Sequence, residues 1–300
     1  MSDRDADCAK FFTRRELLAR YLPASGIALG LLLSSTAYSR ADDDDDDDAS
    51  KRALPGQTSA PKTSINLANW KITLPIDKKG RPTGRDDAVE VEKLIGFALP
   101  PYFSVTSNSI TFQAPTNGST TDGSGYPRSE LREMNGRGGM AAWTVATGGR
   151  LSATLRINEV PRVSTGKPGR IVIGQIHGPN DELCRLYYDA GQIFFVDDKA
   201  GDKRKETSFP LLSSGGKPAG IPIGARFSYT INVNASTLVV TVKHGGTTYS
   251  ATDPIGTFWP GKKLYFKAGA YVQVGAGSSK EHTGGTGQGS VTFFALNVQH

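Results

Sequence analysis

The residues of this chain that could do chemistry lie on short stretches that alternate polar and apolar side chains. The segment 264–274 reads Leu-Tyr-Phe-Lys-Ala-Gly-Ala-Tyr-Val-Gln-Val, and the two-residue period of a β-strand separates it into two faces. One face is apolar and points into a core, whereas the other carries Tyr265, Lys267, Gly269, Tyr271 and Gln273. A cation, a phenol and an amide beside a glycine that clears space suit a surface that grips a polar ligand.

Two further stretches repeat this alternation. They add five polar side chains to the same kind of face: Arg128, Glu130 and Arg132 in the segment 126–133, and Gln175 and His177 in the segment 171–177. If the three strands are neighbours in one sheet, their side chains line a single basic groove. Polar faces are also common on strands that simply meet solvent, so alternation alone leaves that alternative open.

These side-chain types suit the cleavage of a polyuronate by β-elimination. The reaction removes the proton next to the uronate carboxylate and expels the glycosidic oxygen, so it needs a neutralising group, a base and an acid. Arg128, Gln175 and His177 can donate hydrogen bonds or charge to the carboxylate. The phenol of Tyr271 can accept or donate a proton, and nearby cations favour its phenolate form. No metal or other cofactor is expected, because protein groups do the neutralising.

A family resemblance rests on the same stretches. Three motifs, in this order and spacing, resemble the signature blocks of the alginate lyases of polysaccharide lyase family 7: Arg-Ser-Glu-Leu-Arg, Gln-Ile-His and Tyr-Phe-Lys-Ala-Gly-Ala-Tyr-Val-Gln. The resemblance runs from about Ser64 to the C-terminus and includes Asn69 and Trp70. It implies an all-β fold, a jelly-roll sandwich of two curved antiparallel sheets whose concave sheet forms the substrate cleft.

The resemblance also implies roles for the polar residues. Four match the family's catalytic positions: Arg128, Gln175, His177 and Tyr271. Four others match residues that line substrate subsites: Glu130, Arg132, Lys267 and Gln273. Between two arginines, Glu130 is better suited to orient them by ion pairing than to act as a general acid. Isoleucine in the Gln-Ile-His motif is associated in this family with guluronate-containing blocks.

Stereochemistry separates the base from the acid for guluronate. The proton and the leaving oxygen lie on opposite faces of that ring, so one side chain cannot easily serve both. His177 is then the expected base and Tyr271 the expected acid. In mannuronate the two lie on the same face, and Tyr271 could do both jobs.

Other classes of function compete with this interpretation. A glycoside hydrolase needs two carboxylates about 5–9.5 Å apart, but Glu130 and Glu133 would face opposite sides of a strand. A zinc hydrolase lacks ligands, because the four histidines show no paired spacing. A lyase for another polyuronate, such as polymannuronate or glucuronan, and a non-catalytic carbohydrate-binding module stay as alternatives.

The first 62 residues are predicted to lie outside the folded domain. Residues 1–41 contain paired arginines, an apolar run and small residues, which is typical of an export signal, of the twin-arginine type or an ordinary secretory one. The apolar run is too short to favour a transmembrane anchor. Residues 42–62 begin with seven consecutive aspartates and predict a disordered acidic linker. The protein is therefore expected in the periplasm or outside the cell.

The remaining segment, 63–300, is the predicted catalytic domain. It holds 26 basic and 18 acidic residues of the chain's 35 and 29, a net charge of +8, which suits a polyanion. With the motifs above, the expected partner is the anionic polysaccharide alginate, with no nucleic acid and no membrane, and the domain is expected to be a monomer. Cys184 is its only cysteine, so no intrachain disulfide is expected, and the thiol should pack as a small apolar group.

Alternating apolar residues between glycine-rich turns predict strand after strand through this domain. The 35 glycines and 17 prolines favour the same all-β class. One helix is predicted, from Asp87 to Ile95, with Asp87 and Glu90 as a capping pair. Two polar, glycine-rich stretches, 197–220 and 275–289, are predicted to be loops, either lids over a cleft or surface loops with no role.

Overall fold

The computed structural model describes residues 53–201, 205–275 and 284–300. Within these ranges every helix or strand element is a β-strand, which confirms the all-β prediction. The strands are β1 (Thr58–Ser59), β2 (Trp70–Leu74), β3 (Val89–Val91), β4 (Phe97–Ala98), β5 (Phe103–Val105), β6 (Ile110–Pro115), β7 (Arg128–Glu133), β8 (Gly149–Glu159), β9 (Arg170–His177), β10 (Glu182–Asp189), β11 (Gln192–Ala200), β12 (Lys205–Pro210), β13 (Leu212–Ser213), β14 (Arg226–Asn234), β15 (Thr237–His244), β16 (Thr247–Pro254), β17 (Tyr265–Val272) and β18 (Gln288–Gln299).

Two eight-stranded antiparallel sheets make up the domain. We call the first the groove sheet, with strand order β12-β11-β10-β9-β17-β7-β2-β3, and the second the back sheet, with order β13-β16-β15-β14-β8-β18-β6-β5. The short strands β1 and β4 pair separately. Across the described ranges, no helix is long and apolar enough to cross a membrane.

The core between the sheets follows from the two-residue period of the strands. In β8 the buried apolar side chains are Leu151, Ala153, Leu155 and Ile157, as their alternation predicts. Aromatic rings extend the core: the ring centroids of Phe112 and Phe293 lie 5.3 Å apart in an edge-to-face arrangement. Cys184 is fully buried in the same core, so its predicted packing as a small apolar residue is confirmed. Burial raises the pKa of its thiol well above the ordinary value.

The predicted helix at 87–95 is wrong. Residues Val89–Val91 form β3, which pairs with β2 at the edge of the groove sheet. Asp87 does not cap a helix but accepts a hydrogen bond from the hydroxyl of Thr83, with 2.6 Å between Thr83 Oγ1 and Asp87 Oδ1. Ile95, which the helix would have buried, is 80% exposed. Strand pairing with β2 outweighs the local helical pattern here.

The loop predicted at 197–220 contains regular structure as well. It holds the end of β11, then β12, which pairs with β11, and β13, which pairs with β16. The side chains of β12 are mostly exposed, because it is the edge strand of the groove sheet, and this explains its polar composition. In the other predicted loop, 275–289, residues 276–283 lie outside the described residues, and β18 begins at Gln288.

Ordered structure also begins before the predicted boundary at residue 63. Thr58 and Ser59 pair with β4, and the partly buried Leu54 packs against the core. A strand of two residues has no period that a sequence can display, so the linker prediction overlooked it. The predicted export signal and the aspartate run lie outside the described residues.

One buried acidic pair links the two sheets. Asp197 on β11 is fully buried and accepts a hydrogen bond from the indole of Trp259, with 3.0 Å between Trp259 Nε1 and Asp197 Oδ1. Asp253 on β16 is also buried. Burial and the hydrogen bond with Asp253 raise the pKa of Asp197 to about 8, and burial raises the pKa of Asp253. Burial therefore favours the protonated form of these carboxyl groups in the folded protein.

This pair should make the protein less stable as the pH rises from about 4 to about 8. The folded pair keeps a proton that unfolded carboxyl groups, with a pKa of about 3.9, have already lost. The stabilisation is thus complete below about pH 4 and is lost as the pH rises through about 8. Asp253→Asn supplies an amide donor to Asp197 and should flatten this dependence relative to the wild type. Calorimetric melting temperatures at several pH values test it, with the exposed Asp122→Asn as control; identical profiles for Asp253→Asn and wild type would contradict it.

Candidate active site

The three polar stretches lie side by side in the groove sheet, with β17 between β9 and β7. The register places Lys267 opposite Arg132 on β7 and opposite Gln175 on β9. Tyr271 lies opposite Arg128. The single polar surface that the sequence required is therefore present, and residues distant in the chain form it. We call this surface the groove face.

Glu130 is the centre of the polar network on the groove face. Its carboxylate is fully buried and lies 2.8 Å from Lys267 Nζ and 3.3 Å from Arg128 Nη1, both measured to Glu130 Oε2. The other oxygen, Oε1, accepts a hydrogen bond of 2.5 Å from Gln175 Nε2. Glu130 thus contacts side chains from all three strands. The sequence predicted an ion pair with two arginines, but the second cation is Lys267 rather than Arg132.

Arg132 takes part in a stack of rings instead. Its guanidinium carbon lies 3.9 Å from the centroid of the Tyr265 ring, within the range of a cation–π interaction. The Tyr265 ring in turn stacks on the imidazole of His177, with 5.1 Å between ring centroids. A continuous stack therefore joins Arg132 on β7, Tyr265 on β17 and His177 on β9.

Tyr271 belongs to a second cluster at the other end of the row. The guanidinium carbon of Arg128 lies 3.7 Å from the centroid of its ring. The Tyr271 hydroxyl oxygen is 3.1 Å from Ser124 Oγ, which also accepts a hydrogen bond of 2.7 Å from Arg128 Nη2. Ser124 lies in the segment before β7 and was not predicted, because no strand period extends to it.

His177 and Tyr271 are not in contact. His177 on β9 lies opposite Tyr265 on β17, whereas Tyr271 on β17 lies opposite Val172 on β9. His177 and Val172 are five positions apart along β9, about 16 Å between backbone positions at 3.3 Å per residue. Gln175 and Lys267 lie between them, so the row has an imidazole at one end and a phenol at the other.

Burial and charge shape the electrostatics of the groove face. Burial and the neighbouring Arg128 lower the pKa of Lys267 to about 8, so its charge is lost in mildly alkaline solution. Although burial disfavours the charge of Arg128, Tyr271 and Glu130 raise the pKa of the guanidinium above its ordinary value. The Nε atom of Arg128 and the Oε1 atom of Gln175 are buried without a hydrogen-bond partner in the described part of the chain. Unsatisfied polar atoms of this kind can be paired by a ligand or an ordered water molecule.

Gln273 and Glu133 complete the set of residues considered from sequence. Gln273 follows β17 and is buried, and its backbone N–H donates to the carbonyl oxygen of Arg170 at 3.1 Å. Glu133 faces the core, where its Oε2 accepts hydrogen bonds from the Trp143 indole at 3.2 Å and from the backbone N–H of Phe266 at 2.9 Å. Glu130 and Glu133 therefore do not form a pair of carboxylates across one cleft.

The sequence missed several residues of the groove face. Strict alternation on β9 would continue from Gln175 to Ile173, but an irregular register places Ile173 in the core and Val172 beside Tyr271. The side chains that the prediction left out are Lys71, Thr73, Arg170, Glu182, Arg185 and Tyr187. In the described ranges, no group of three or more His, Cys, Asp or Glu side chains is placed to hold a metal ion.

Gly269 clears space for the protein itself rather than for a ligand. A Cβ atom at this position would lie 2.5 Å from the carbonyl oxygen of Ser129 and 2.8 Å from the Cα of Glu130, and the backbone has a φ of +152°. Because both contacts are backbone atoms of β7, they cannot move aside cheaply. The glycine lets β17 approach the strand that carries Glu130.

Gly269→Ala should therefore destabilise the protein and damage the groove face together. We expect a loss of about 1–3 kcal/mol from overpacking and strain, seen as a lower denaturant midpoint. The displaced strand should also weaken activity, because Lys267 and Tyr271 flank the site of change. Gly215→Ala serves as the control, since its added Cβ would have no neighbour closer than 4.0 Å. Equal midpoints for the two variants would contradict the close approach.

Comparison with known proteins identifies the family. The alginate lyase family model matches residues 65–300. This chain belongs to the alginate lyases of polysaccharide lyase family 7. An alginate lyase from Klebsiella pneumoniae is 28% identical over 288 residues, covering 80% of this chain and 91% of the relative.

Solved alginate lyases share the fold. The crystal structure from Klebsiella pneumoniae is 25% identical with a TM-score of 0.63, and covers 79% of this chain and 96% of its own. The alginate lyase from Pseudomonas aeruginosa is 33% identical with a TM-score of 0.60, and covers 78% and 99%. A family 7 alginate lyase solved in complex with the substrate GGMG is 26% identical with a TM-score of 0.59, and covers 81% and 97%. The predicted jelly-roll sandwich is confirmed, and the groove sheet belongs to an alginate lyase.

Proposed function

We propose that this alginate lyase cleaves guluronate-containing blocks by β-elimination and releases unsaturated oligosaccharides. The observation that carries the proposal is the row on the groove face, with His177 at one end, Tyr271 at the other, and Gln175 and Lys267 between them. To act on one sugar ring seated over Gln175 and Lys267, the imidazole and the phenol must lean inwards from opposite ends of the row, because their backbone positions are about 16 Å apart. Elimination from guluronate requires a base and an acid in that relation.

The substrate carboxylate is neutralised by the groups that bind it. Arg128 keeps its charge, and its buried Nε atom has no protein partner among the described residues, so it can donate to a carboxylate oxygen. The Nε2 atom of Gln175 is fixed by Glu130, which leaves its carbonyl oxygen for a sugar hydroxyl or a protonated carboxyl group. Fixed donors of this kind stabilise the charge that develops on the carboxylate as the proton leaves.

Proton transfer then completes the elimination. The bond between hydrogen and the carbon next to the carboxylate breaks, and His177 takes the proton. The released electron pair forms a carbon–carbon double bond as the bond to the glycosidic oxygen breaks, and the Tyr271 hydroxyl protonates that oxygen. Four further residues hold the polysaccharide. Lys267 and Arg132 attract it by charge, Glu130 fixes the side chains beside it, and Gln273 lies at the end of the row.

A panel of separated polymers tests this assignment. The purified chain should produce the ultraviolet absorbance of unsaturated uronate fastest on guluronate blocks, more slowly on mannuronate blocks and least on glucuronan. His177→Ala should lower the rate on guluronate more than any residual rate on mannuronate, because Tyr271 can serve both roles only for mannuronate. Fastest cleavage of mannuronate or glucuronan by the wild type would overturn the block preference.

We also propose that the enzyme is exported and acts as a monomer in the periplasm or outside the cell. The support is the arginine pair and apolar run within residues 1–41, and the net charge of +8 on residues 63–300, which favours an anionic polysaccharide. Fractionation of expressing cells, with Arg14→Lys/Arg15→Lys as the comparison, tests the export route. Retention of the wild type in the cytoplasm would contradict export.

A further inference from the structure

The imidazole of His177 has an acceptor at each nitrogen. Its Nδ1 atom is 2.5 Å from the carbonyl oxygen of Gly178, which can only accept, so Nδ1 carries a hydrogen. Its Nε2 atom is 3.1 Å from Glu182 Oε1. Nε2 is thus the only nitrogen that can act as a base, and it faces a carboxyl group that sequence reasoning did not single out.

Glu182 is itself held in a defined position on β10. Its backbone N–H donates to Asp198 Oδ2 at 3.1 Å, and its Oε2 atom lies 3.9 Å from Arg185 Nε. Arg185 also pairs with Asp198 and lies 3.3 Å from Glu206 on the edge strand β12. The carboxyl side chain of Glu182 is 19% exposed, so solvent screens its contact with His177 only in part.

Of the neighbouring carboxyl groups of Asp198 and Glu182, that of Asp198 holds a proton more readily. Burial and the hydrogen bond with Glu182 raise the pKa of Asp198 to about 7. Burial opposes the ionisation of Glu182, but hydrogen bonds from His177 and Asp198 hold its pKa well below the ordinary value. Glu182 therefore faces the Nε2 atom of His177 as a carboxylate.

We propose that Glu182 is a positioning residue that fixes the orientation of the His177 imidazole and stabilises the imidazolium that forms when Nε2 takes the substrate proton. The proposal rests on the proposed role of His177 as the base. The charged or titratable groups around the imidazole are Glu182 and Arg185 on β10, Asp198 on β11, Tyr265 and Lys267 on β17, and Arg132 on β7. Among the described residues, only Glu182 places a carboxylate oxygen within hydrogen-bond distance of the His177 ring.

Glu182→Gln tests the proposal, because it keeps the shape and removes the charge. The titration of His177 is followed by nuclear magnetic resonance of the ¹⁵N-labelled purified chain, with His177→Asn to assign the signal. Loss of the carboxylate should lower the midpoint of the His177 titration by about one pH unit. The acidic limb of kcat/KM should move to lower pH by the same amount, because the base is then free at lower pH. A merely structural role would lower kcat without moving either midpoint.

Glu206→Gln is the matched control, since it removes another carboxylate beside Arg185 without contact to His177; its titration should match the wild type. Glu182→Asp keeps the charge on a shorter side chain and should give a smaller shift than glutamine, so it decides the question if Glu182→Gln does not fold. An unchanged His177 midpoint in a folded Glu182 variant would overturn the proposal. A shifted midpoint with an unmoved acidic limb would uphold the Glu182–His177 pairing and overturn the role of His177 as the base.

Discussion

Tyr271→Phe should lower kcat by about 10²–10⁴-fold while the fold and substrate binding survive. The change removes only the hydroxyl, and the ring can still stack on Arg128, whose guanidinium carbon lies 3.7 Å from the ring centroid. Arg128 also keeps its hydrogen bond to Ser124. Initial rates on guluronate blocks, with binding measured separately by calorimetry, check both parts of this expectation.

Tyr249→Phe is the matched control for this variant. Tyr249 lies on β16 of the back sheet, partly buried against the core and away from the groove face. Its loss of a hydroxyl should leave kcat within about twofold of the wild type, since surface changes away from special features have small effects. A Tyr271→Phe enzyme with near-normal turnover on its best substrate would remove the phenol from the mechanism.

Glu130→Gln should have the largest effect on stability among the groove residues. The buried carboxylate balances Lys267 and Arg128, and breaking a buried ion pair from one side costs about 3–5 kcal/mol. At roughly 2–4 °C per kcal/mol for a domain of this size, the melting temperature should fall by at least about 6 °C. Turnover should fall as well, because a glutamine side chain offers one acceptor oxygen instead of two to Gln175, Lys267 and Arg128.

Glu159→Gln is the control, because it shows how much stability a change from Glu to Gln costs at an exposed position. Glu159 is an exposed residue at the end of β8, and its Oε2 accepts a hydrogen bond of 2.8 Å from Gln288. An exposed carboxylate should contribute no more than about 1 kcal/mol. If Glu130→Gln melted as close to the wild type as Glu159→Gln does, the carboxylate would not be the centre of the network.

Local alternation was sufficient to predict most of the groove face. Arg128, Glu130 and Arg132 share a face because a regular strand has a period of two, and β7 is regular. The period failed where the backbone is irregular: the register shift on β9 places Val172 and Arg170 on the groove face, and a sequence does not show which residue a bulge will add.

Contacts made by distant segments could not be predicted from local patterns. Glu182 meets His177 only because β10 folds back on β9, and Ser124 meets Tyr271 across most of the domain's length. The predicted helix at 87–95 failed for the same reason, since its residues satisfy their backbone hydrogen bonds on β2. Tertiary pairing decided these positions, and propensity did not.

The position of β17 has a consequence for how the chain reaches its native state. β17 pairs with β9 on one side and β7 on the other, yet it follows β9 in sequence only after β10 to β16. During synthesis, β7 and β9 therefore keep unpaired edges until Tyr265–Val272 has left the ribosome, and pairing across such separations is slow. Unpaired edges invite association between incomplete chains. The pairing of β17 with β7 and β9 therefore completes the active groove face and covers the exposed strand edges at the same time.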